Sequence, residues 1–352
     1  MTPKRLNIFI ASPLESEQVE RIRAVDTERL EVVHDPELLP RKRYEADHTG
    51  PADFRRTHEQ QARWRAHLER ADILWDFPPR NPDGSGGLAY APNVRWIQAT
   101  SSGVGRTVEA LGLLDSDLLI TTARGVHGGP LAEFVFLVLL AHVRRLSHLA
   151  DLQRRHLWER FCGEELEGRT LAIVGAGEVG RQVARVARCF GMRVVALASP
   201  GSRRSAAELG VDALYPNDAM HEMLAEADAL VLSVPHTPET DGLLDAAALR
   251  ALKPGAVLVN VARGGVVDEP PLLEALRDGR IALAGLDVFA DEPLPPDSPF
   301  WDLPNVIVSP HSSANAASEN RKITDIFRHN LRCYLDGRLG DMRNVFQGER
   351  MY

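Results

Sequence analysis

The stretch Thr170-Leu-Ala-Ile-Val-Gly-Ala-Gly-Glu-Val-Gly180 decides the fold of this chain. Its first five residues form a largely apolar run of strand length, as expected for a strand buried on both faces of a parallel sheet. The run passes directly into Gly175, Gly177 and Gly180, and a helical pattern follows to about Phe190. Gly175 permits the tight turn, Gly177 lets the backbone approach a pyrophosphate, and Gly180 lets the helix pack on the strand. The free amides and the dipole at the helix start then hold phosphate. Glycines alone are a weak signal; the strand before them and the helix after them make this a dinucleotide-binding turn.

Working outward, apolar runs recur at 193–197, 229–234, 256–261, 282–286 and 306–309, each separated by helical pattern. Strands alternating with helices imply a doubly wound parallel sheet, the Rossmann arrangement. Upstream, runs at 7–11, 30–34, 73–77 and 94–99 read as four strands of a smaller, flavodoxin-like α/β domain. Between the second and third of these lies a polar stretch, 40–70, whose later part (54–70) has a helical pattern and a solvated face. Residues 78–92 collect Pro, Gly, Asn and Ser and read as a mobile loop. An apolar helix is expected over 131–145, after Gly128-Gly129-Pro130, and a helix over 314–335. The expected layout is therefore 1–102 as the smaller α/β domain, 103–313 as the dinucleotide-binding domain, and 314–352 returning to the first domain.

Composition narrows the function. With 352 residues the chain suits two domains. A formal charge of -8 argues against a nucleic-acid footprint. The longest apolar stretch, near 134–141, is too short for a membrane span, and the N-terminus has no signal-peptide pattern. These features lead us to expect a cytoplasmic protein without nucleic-acid or membrane partners. Cys162, Cys189 and Cys333 are odd in number and widely spaced, so neither a disulfide framework nor a metal site is expected. They read as reduced, buried cysteines.

The second strand of the cofactor domain is informative by what it lacks. A carboxylate at its end would grip the ribose hydroxyls of NAD. Here the chain reads Ala198-Ser-Pro-Gly-Ser-Arg-Arg204. Ser199 and Ser202 can donate to a phosphate, and Arg203 or Arg204 can pair with one. This pattern favours NADP over NAD; the competing reading is an exposed arginine pair in an arginine-rich protein.

Three segments leave the later strands. Asn260-Val-Ala-Arg-Gly-Gly-Val-Val-Asp-Glu269 places Arg263 at a strand end, where ligands bind in such sheets. Gly285-Leu-Asp-Val-Phe-Ala-Asp-Glu-Pro293 supplies carboxylates, and Val308-Ser-Pro-His311 ends the last strand with a histidine. A guanidinium there can clamp a carboxylate and polarise a carbonyl. A histidine suits proton donation to an alkoxide, and a neighbouring carboxylate would stabilise its imidazolium.

With these motifs the sequence resembles the D-isomer-specific 2-hydroxyacid dehydrogenases over roughly residues 94–335. The resemblance also rests on Ala99-Thr-Ser-Ser-Gly-Val104, Pro130-Leu-Ala-Glu133 and His236-Thr-Pro-Glu-Thr240. It implies a catalytic set of Arg263, Glu292 and His311, with Glu292 chosen over Asp291 because it precedes the proline. It implies cofactor contacts from Gly175, Gly177, Glu178, Val179 and Gly180, from Val234, Thr240, Val261 and Ala262, and from Asp287 near the nicotinamide carboxamide. The amides of Ser102 and Gly103 would bind the substrate carboxylate, together with Arg263. The implied reaction is hydride transfer between NAD(P)H and a small 2-oxo acid, giving a D-2-hydroxy acid. A homodimer is also implied, with 152–161 and Trp158 on the partner. The chain departs from the family pattern at His127, a frequent asparagine, and at Ala314, often a glycine. Formate dehydrogenases share the fold but pair histidine with glutamine where this chain has Glu292. A non-catalytic nucleotide-sensing protein on the same scaffold is the competing reading; it would not need Arg, Glu and His together.

Overall fold

Short apolar strands, most of them buried on both faces, build two parallel sheets, each in its own structural unit. The computed structural model describes residues 5–81, 84–198 and 204–348; Ser199, Ser202 and Arg203 lie outside these residues. One unit comprises Met1–His127 with Asn315–Tyr352, the other Gly128–Ala314.

In the first unit, strands β1 (Leu6–Ile10), β2 (Leu30–Val33), β3 (Ile73–Trp75), β4 (Trp96–Gln98) and β5 (Leu119–Thr121) form one sheet, in the order β2-β1-β3-β4-β5. All neighbours are parallel, which is the flavodoxin-like order. One face is covered by the helix Glu319–Leu335, whose Ile323, Phe327 and Leu331 pack with Ile8, Ile10, Trp75 and Trp96. Phe327 meets the rings of Trp75 and Trp96 at centroid distances of 5.6 and 5.0 Å. The opposite face is covered by the helix His58–Arg70 through Trp64 and Leu68. That helix starts later than its pattern suggested because Thr57 and Gln60 form a reciprocal capping box.

The second unit carries β6 (Thr170–Val174), β7 (Arg193–Leu197), β8 (Ala213–Tyr215), β9 (Ala229–Leu232), β10 (Ala256–Asn260), β11 (Ile281–Leu286) and β12 (Val306–Val308). Their order is β12-β11-β10-β9-β6-β7-β8, all parallel. The chain winds outward from β6 in both directions, the doubly wound arrangement, with the switch point beside β6. Both faces are buried. Leu171 and Ile173 face one apolar cluster, with Leu131, Val135 and Val138 of the helix Gly128–Val143. Ala172 and Val174 face the other, with Leu249, Leu272 and Leu276.

Several expectations are corrected. β5 and β8 were not anticipated: each has three residues, and β8 is only half-buried, so neither stands out as an apolar run. Residues 103–127, assigned on sequence to the dinucleotide domain, belong to the first unit. The physical reason is that β5 extends the first sheet, while Val104, Val108 and Ile120 pack with Ala99. Of the three free cysteines only Cys333 is buried; Cys162 and Cys189 are exposed. Cys189 lies in the last turn of the amphipathic helix Glu178–Cys189 and Cys162 in the segment after the helix Leu146–Arg154.

Candidate active site

In a parallel sheet every strand ends on the same edge, so the segments following β6, β10, β11 and β12 converge there by topology alone. The glycine turn after β6 needs its glycines for distinct reasons. Gly175 stands at φ +102°, and a Cβ on it would meet the Ser233 carbonyl at 2.7 Å and Val234 Cγ1 at 2.9 Å. On Gly180 a Cβ would lie 2.3 Å from the Gly175 carbonyl oxygen, so this glycine is what lets the helix Glu178–Cys189 approach the strand. Gly177 caps that helix, and a Cβ there would meet nothing within 4 Å. The space beside Gly177 is open at a helix N-terminus of twelve residues, which fits a pyrophosphate. The residues present therefore suit a dinucleotide.

The remaining residues assigned to the cofactor have mixed surroundings. Val234 lies over Gly175, and Val261 and Ala262 are buried at the end of β10. Glu178 is paired to Arg181 one turn along its helix. The Thr240 hydroxyl is used within its own turn: it donates to the Pro235 carbonyl (2.7 Å) and accepts the Thr237 amide (2.8 Å). At the end of β7 the chain reads Leu197-Ala198 without a carboxylate. Ser199 and Arg203, assigned to the 2′-phosphate, lie outside the described residues. Arg204 is exposed; the Glu208 carboxyl near it is held low by hydrogen bonds from Ser205, with a smaller contribution from the Arg204 charge.

Arg263, Glu292 and His311 leave three neighbouring strands, β10, β11 and β12. Arg263 is exposed, and its Nη1 donates to the Ala262 carbonyl at 2.6 Å. Gly264 follows because no side chain fits there: a Cβ would fall 1.9 Å from the Phe289 backbone. The loop after β11 thus passes directly over the turn that carries Arg263. In that loop Glu292 Oε1 accepts the Phe289 amide at 3.0 Å, and Glu292 Oε2 lies 2.7 Å from His311 Nδ1. The imidazole is thereby held by Nδ1, and both side chains remain partly open to solvent.

Asp287 is the residue whose surroundings the sequence did not disclose. It is 2% exposed, and its Oδ1 accepts Ser309 Oγ (2.6 Å) and the amides of Ser312 and Ser313 (both 2.9 Å). Its carbonyl accepts the His311 amide at 2.9 Å. His311 itself sits at φ +51°, a left-handed conformation that this clamp sustains.

In the first unit, Ser102 and Gly103 follow β4; Ser102 is half-buried and Gly103 exposed. Elsewhere in that unit a buried cluster went unforeseen. Glu319 Oε1 lies 3.3 Å from His48 Nε2 and 3.4 Å from His127 Nε2. Burial pushes the Glu319 carboxyl up, but the two imidazoles overcome it and hold the group at about 2. The His127 departure from the family pattern is thus matched by a carboxylate partner. Among the described residues no group of His, Cys, Asp and Glu is arranged to hold a metal ion.

The family model described as "D-isomer specific 2-hydroxyacid dehydrogenase, NAD binding domain" matches residues 136–313. A D-3-phosphoglycerate dehydrogenase of Mycobacterium leprae is 39% identical over 252 residues, which is 68% of this chain and 45% of that protein. The chain thus spans about half the length of such relatives. A glyoxylate reductase of Korarchaeum cryptofilum is 36% identical over 228 residues, 63% of this chain and 68% of that protein. A crystal structure of a D-isomer-specific 2-hydroxyacid dehydrogenase from Xanthobacter autotrophicus, in complex with NADPH and MES, superposes with a TM-score of 0.74 at 28% identity. It covers 99% of this chain and 100% of its own. A family match across the unit that holds the glycine turn, Arg263, Glu292 and His311 agrees with the strand order found there, and the chain belongs to the D-isomer-specific 2-hydroxyacid dehydrogenase family.

Proposed function

We propose that this protein reduces a small 2-oxo acid to the D-2-hydroxy acid with a nicotinamide dinucleotide. The observation that carries the reading is the 2.7 Å contact between Glu292 Oε2 and His311 Nδ1 at the ends of adjacent strands, one strand over from Arg263. When bound, the nicotinamide supplies the hydride. The glycine turn would hold its pyrophosphate.

The chain's own residues have separable tasks. The Arg263 fork pairs with the substrate carboxylate and polarises the 2-oxo oxygen. His311, held through Nδ1, presents Nε2 and gives its proton to that oxygen as the carbonyl is reduced; solvent then reprotonates it. Glu292 stabilises the imidazolium and fixes the ring. Within the first unit, the loop after β4 offers the Ser102 and Gly103 amides as a turn for a substrate carboxylate, a reading that rests on the family resemblance.

NADPH is the proposed cofactor in preference to NADH. Support comes from the missing carboxylate after β7, from Arg204, and from the NADPH held by the Xanthobacter relative. Loss of an acid removes both its grip on a free ribose and its repulsion of a 2′-phosphate. One well-placed arginine contact then implies about a tenfold preference once solvent exposure is discounted. The test is turnover of glyoxylate, hydroxypyruvate, pyruvate and phenylpyruvate with each cofactor. Reduction of at least one acid, with kcat/KM higher for NADPH, is expected. No turnover on any of them, with nucleotide binding retained, would favour a nucleotide-sensing protein instead.

A further inference from the structure

β3 ends at Trp75, and the next residue, Asp76, stands at φ +71°. Left-handed backbone favours glycine; an aspartate is tolerated there when its carboxylate finds hydrogen-bond donors nearby, and that is the requirement it has to meet. Here the requirement is visible. Asp76 Oδ2 accepts the Thr100 hydroxyl at 2.8 Å, and Oδ1 accepts the Phe77 amide at 2.9 Å and, at 3.5 Å, the Thr100 amide. The Asp76 amide continues the ladder to β4 by donating to the Gln98 carbonyl at 2.8 Å. The loop after β3 is therefore tied to the loop after β4 at Thr100, which is 6% exposed. One residue further, the Ser101 carbonyl accepts the Ala123 amide at 3.1 Å. The chain is fixed at two successive residues, immediately before Ser102 and Gly103.

We propose that Asp76 is a positioning residue for substrate: through Thr100 it sets the direction of the Ser102 and Gly103 amides that receive the 2-oxo acid carboxylate. The inference rests on the reading of that loop given under Proposed function. The carboxylate of Asp76 does not touch substrate; three donors of the protein surround it, which also offsets the repulsion it would exert on an incoming anion. Its work is geometric. An amide pair aimed a few tenths of an ångström wide binds the carboxylate less well in ground and transition states alike, so KM rises while kcat holds.

Three variants separate the tether from the fold. Asp76→Gly suits φ +71° but has no acceptor; Thr100→Val keeps the shape and removes the hydroxyl; Asp76→Asn keeps an acceptor and tolerates the conformation. Asp76→Gly and Thr100→Val should raise KM for the 2-oxo acid about tenfold, as loss of one hydrogen bond's directing effect implies, with kcat within about threefold. Cofactor Kd should be unchanged, and Asp76→Asn should stay within about threefold of wild type in KM. Hydrogen exchange gives a readout independent of turnover: the peptide containing Ser102 and Gly103 should exchange faster in Asp76→Gly and Thr100→Val than in wild type or Asp76→Asn. Unchanged KM and unchanged exchange in a folded Asp76→Gly protein would overturn the tether. A wild-type protein that turns over no 2-oxo acid, yet shows the exchange difference, would keep the tether and overturn the substrate reading.

Discussion

At the scale of single residues, the candidate site depends on how His311 is held. The imidazole contacts Glu292 through Nδ1, and its backbone is kept left-handed by the donors that converge on Asp287. His311→Gln keeps a polar side chain of similar reach but cannot transfer a proton. We expect kcat to fall by roughly two decades or more, within the range for a general acid. Cofactor affinity should be unaffected, because the dinucleotide turn lies after β6 and not after β12. Steady-state kinetics beside a fluorescence titration of NADPH will separate the two effects, and a fully active variant would remove His311 from the mechanism. The placement of Arg263, Glu292 and His311 at neighbouring strand ends was legible in sequence because each lies in a short motif there. The role of Asp287 as clamp was not, since its donors come from residues more than twenty positions later and only folding brings them to one oxygen.

Elements set the next level, and the glycine turn allows two of its glycines to be told apart. Gly180→Ala would force a Cβ to 2.3 Å from the Gly175 carbonyl oxygen, so the helix and strand must separate. Overpacking of this kind costs about 1–3 kcal/mol, and a lowered Tm of the cofactor-free protein is expected. Gly177→Ala adds a methyl group to open space and should leave Tm nearly unchanged, yet weaken NADPH binding about tenfold or more by obstructing the pyrophosphate. Equal effects of the two substitutions on Tm would contradict these roles. The helix Glu319–Leu335 offers a pH test. Glu319 is held at about 2 against an ordinary 4.5, so its contribution is present above pH 4.5 and is lost as pH falls through 2. Glu319→Gln should therefore be less stable than wild type near pH 6, by up to about 3 kcal/mol from the size of that shift, with the gap closing between pH 4.5 and 2. Denaturant melts across that range will check the sign. Long apolar runs such as β6 and β10 could be read directly; β8, three half-buried residues, depends on pairing with β7 for its existence. His127 stood out only as a departure from the family pattern; its pairing with Glu319, and that of His48, gave no signal, because neither lies near Glu319 in sequence.

For the whole molecule, the parallel, doubly wound class followed from the alternation of strand and helix, whereas the places of β5 and β8 in the sheets and the boundary at His127 did not. A strand as short as β5 is assigned to a sheet by its neighbours rather than by its composition. Association is the remaining property of the whole chain, and we expect a homodimer. In the second unit Leu137 is 52% exposed on an otherwise apolar helix, Leu146 is 50% exposed, and Trp158 is 96% exposed among Arg155, Glu159 and Arg160. A tryptophan left almost wholly in water gains roughly 1.5–3 kcal/mol or more if a partner covers it, and aromatic anchors within a charged rim are typical of interface centres. Burial of the leucines on the same unit, in both copies of an isologous contact, would add to this. Light scattering at about 10 μM should then give twice the chain mass, a concentration chosen to lie above a Kd in the micromolar range or below. Leu137→Glu and Trp158→Ala should each shift the protein toward monomer without loss of secondary structure, because neither side chain is part of a buried cluster. Trp158→Ala loses apolar area only, whereas Leu137→Glu also brings two like charges together at an isologous contact, so the glutamate should dissociate the dimer more completely. A wild-type protein with the mass of a single chain would show that these side chains are exposed in solution and that no second copy covers them.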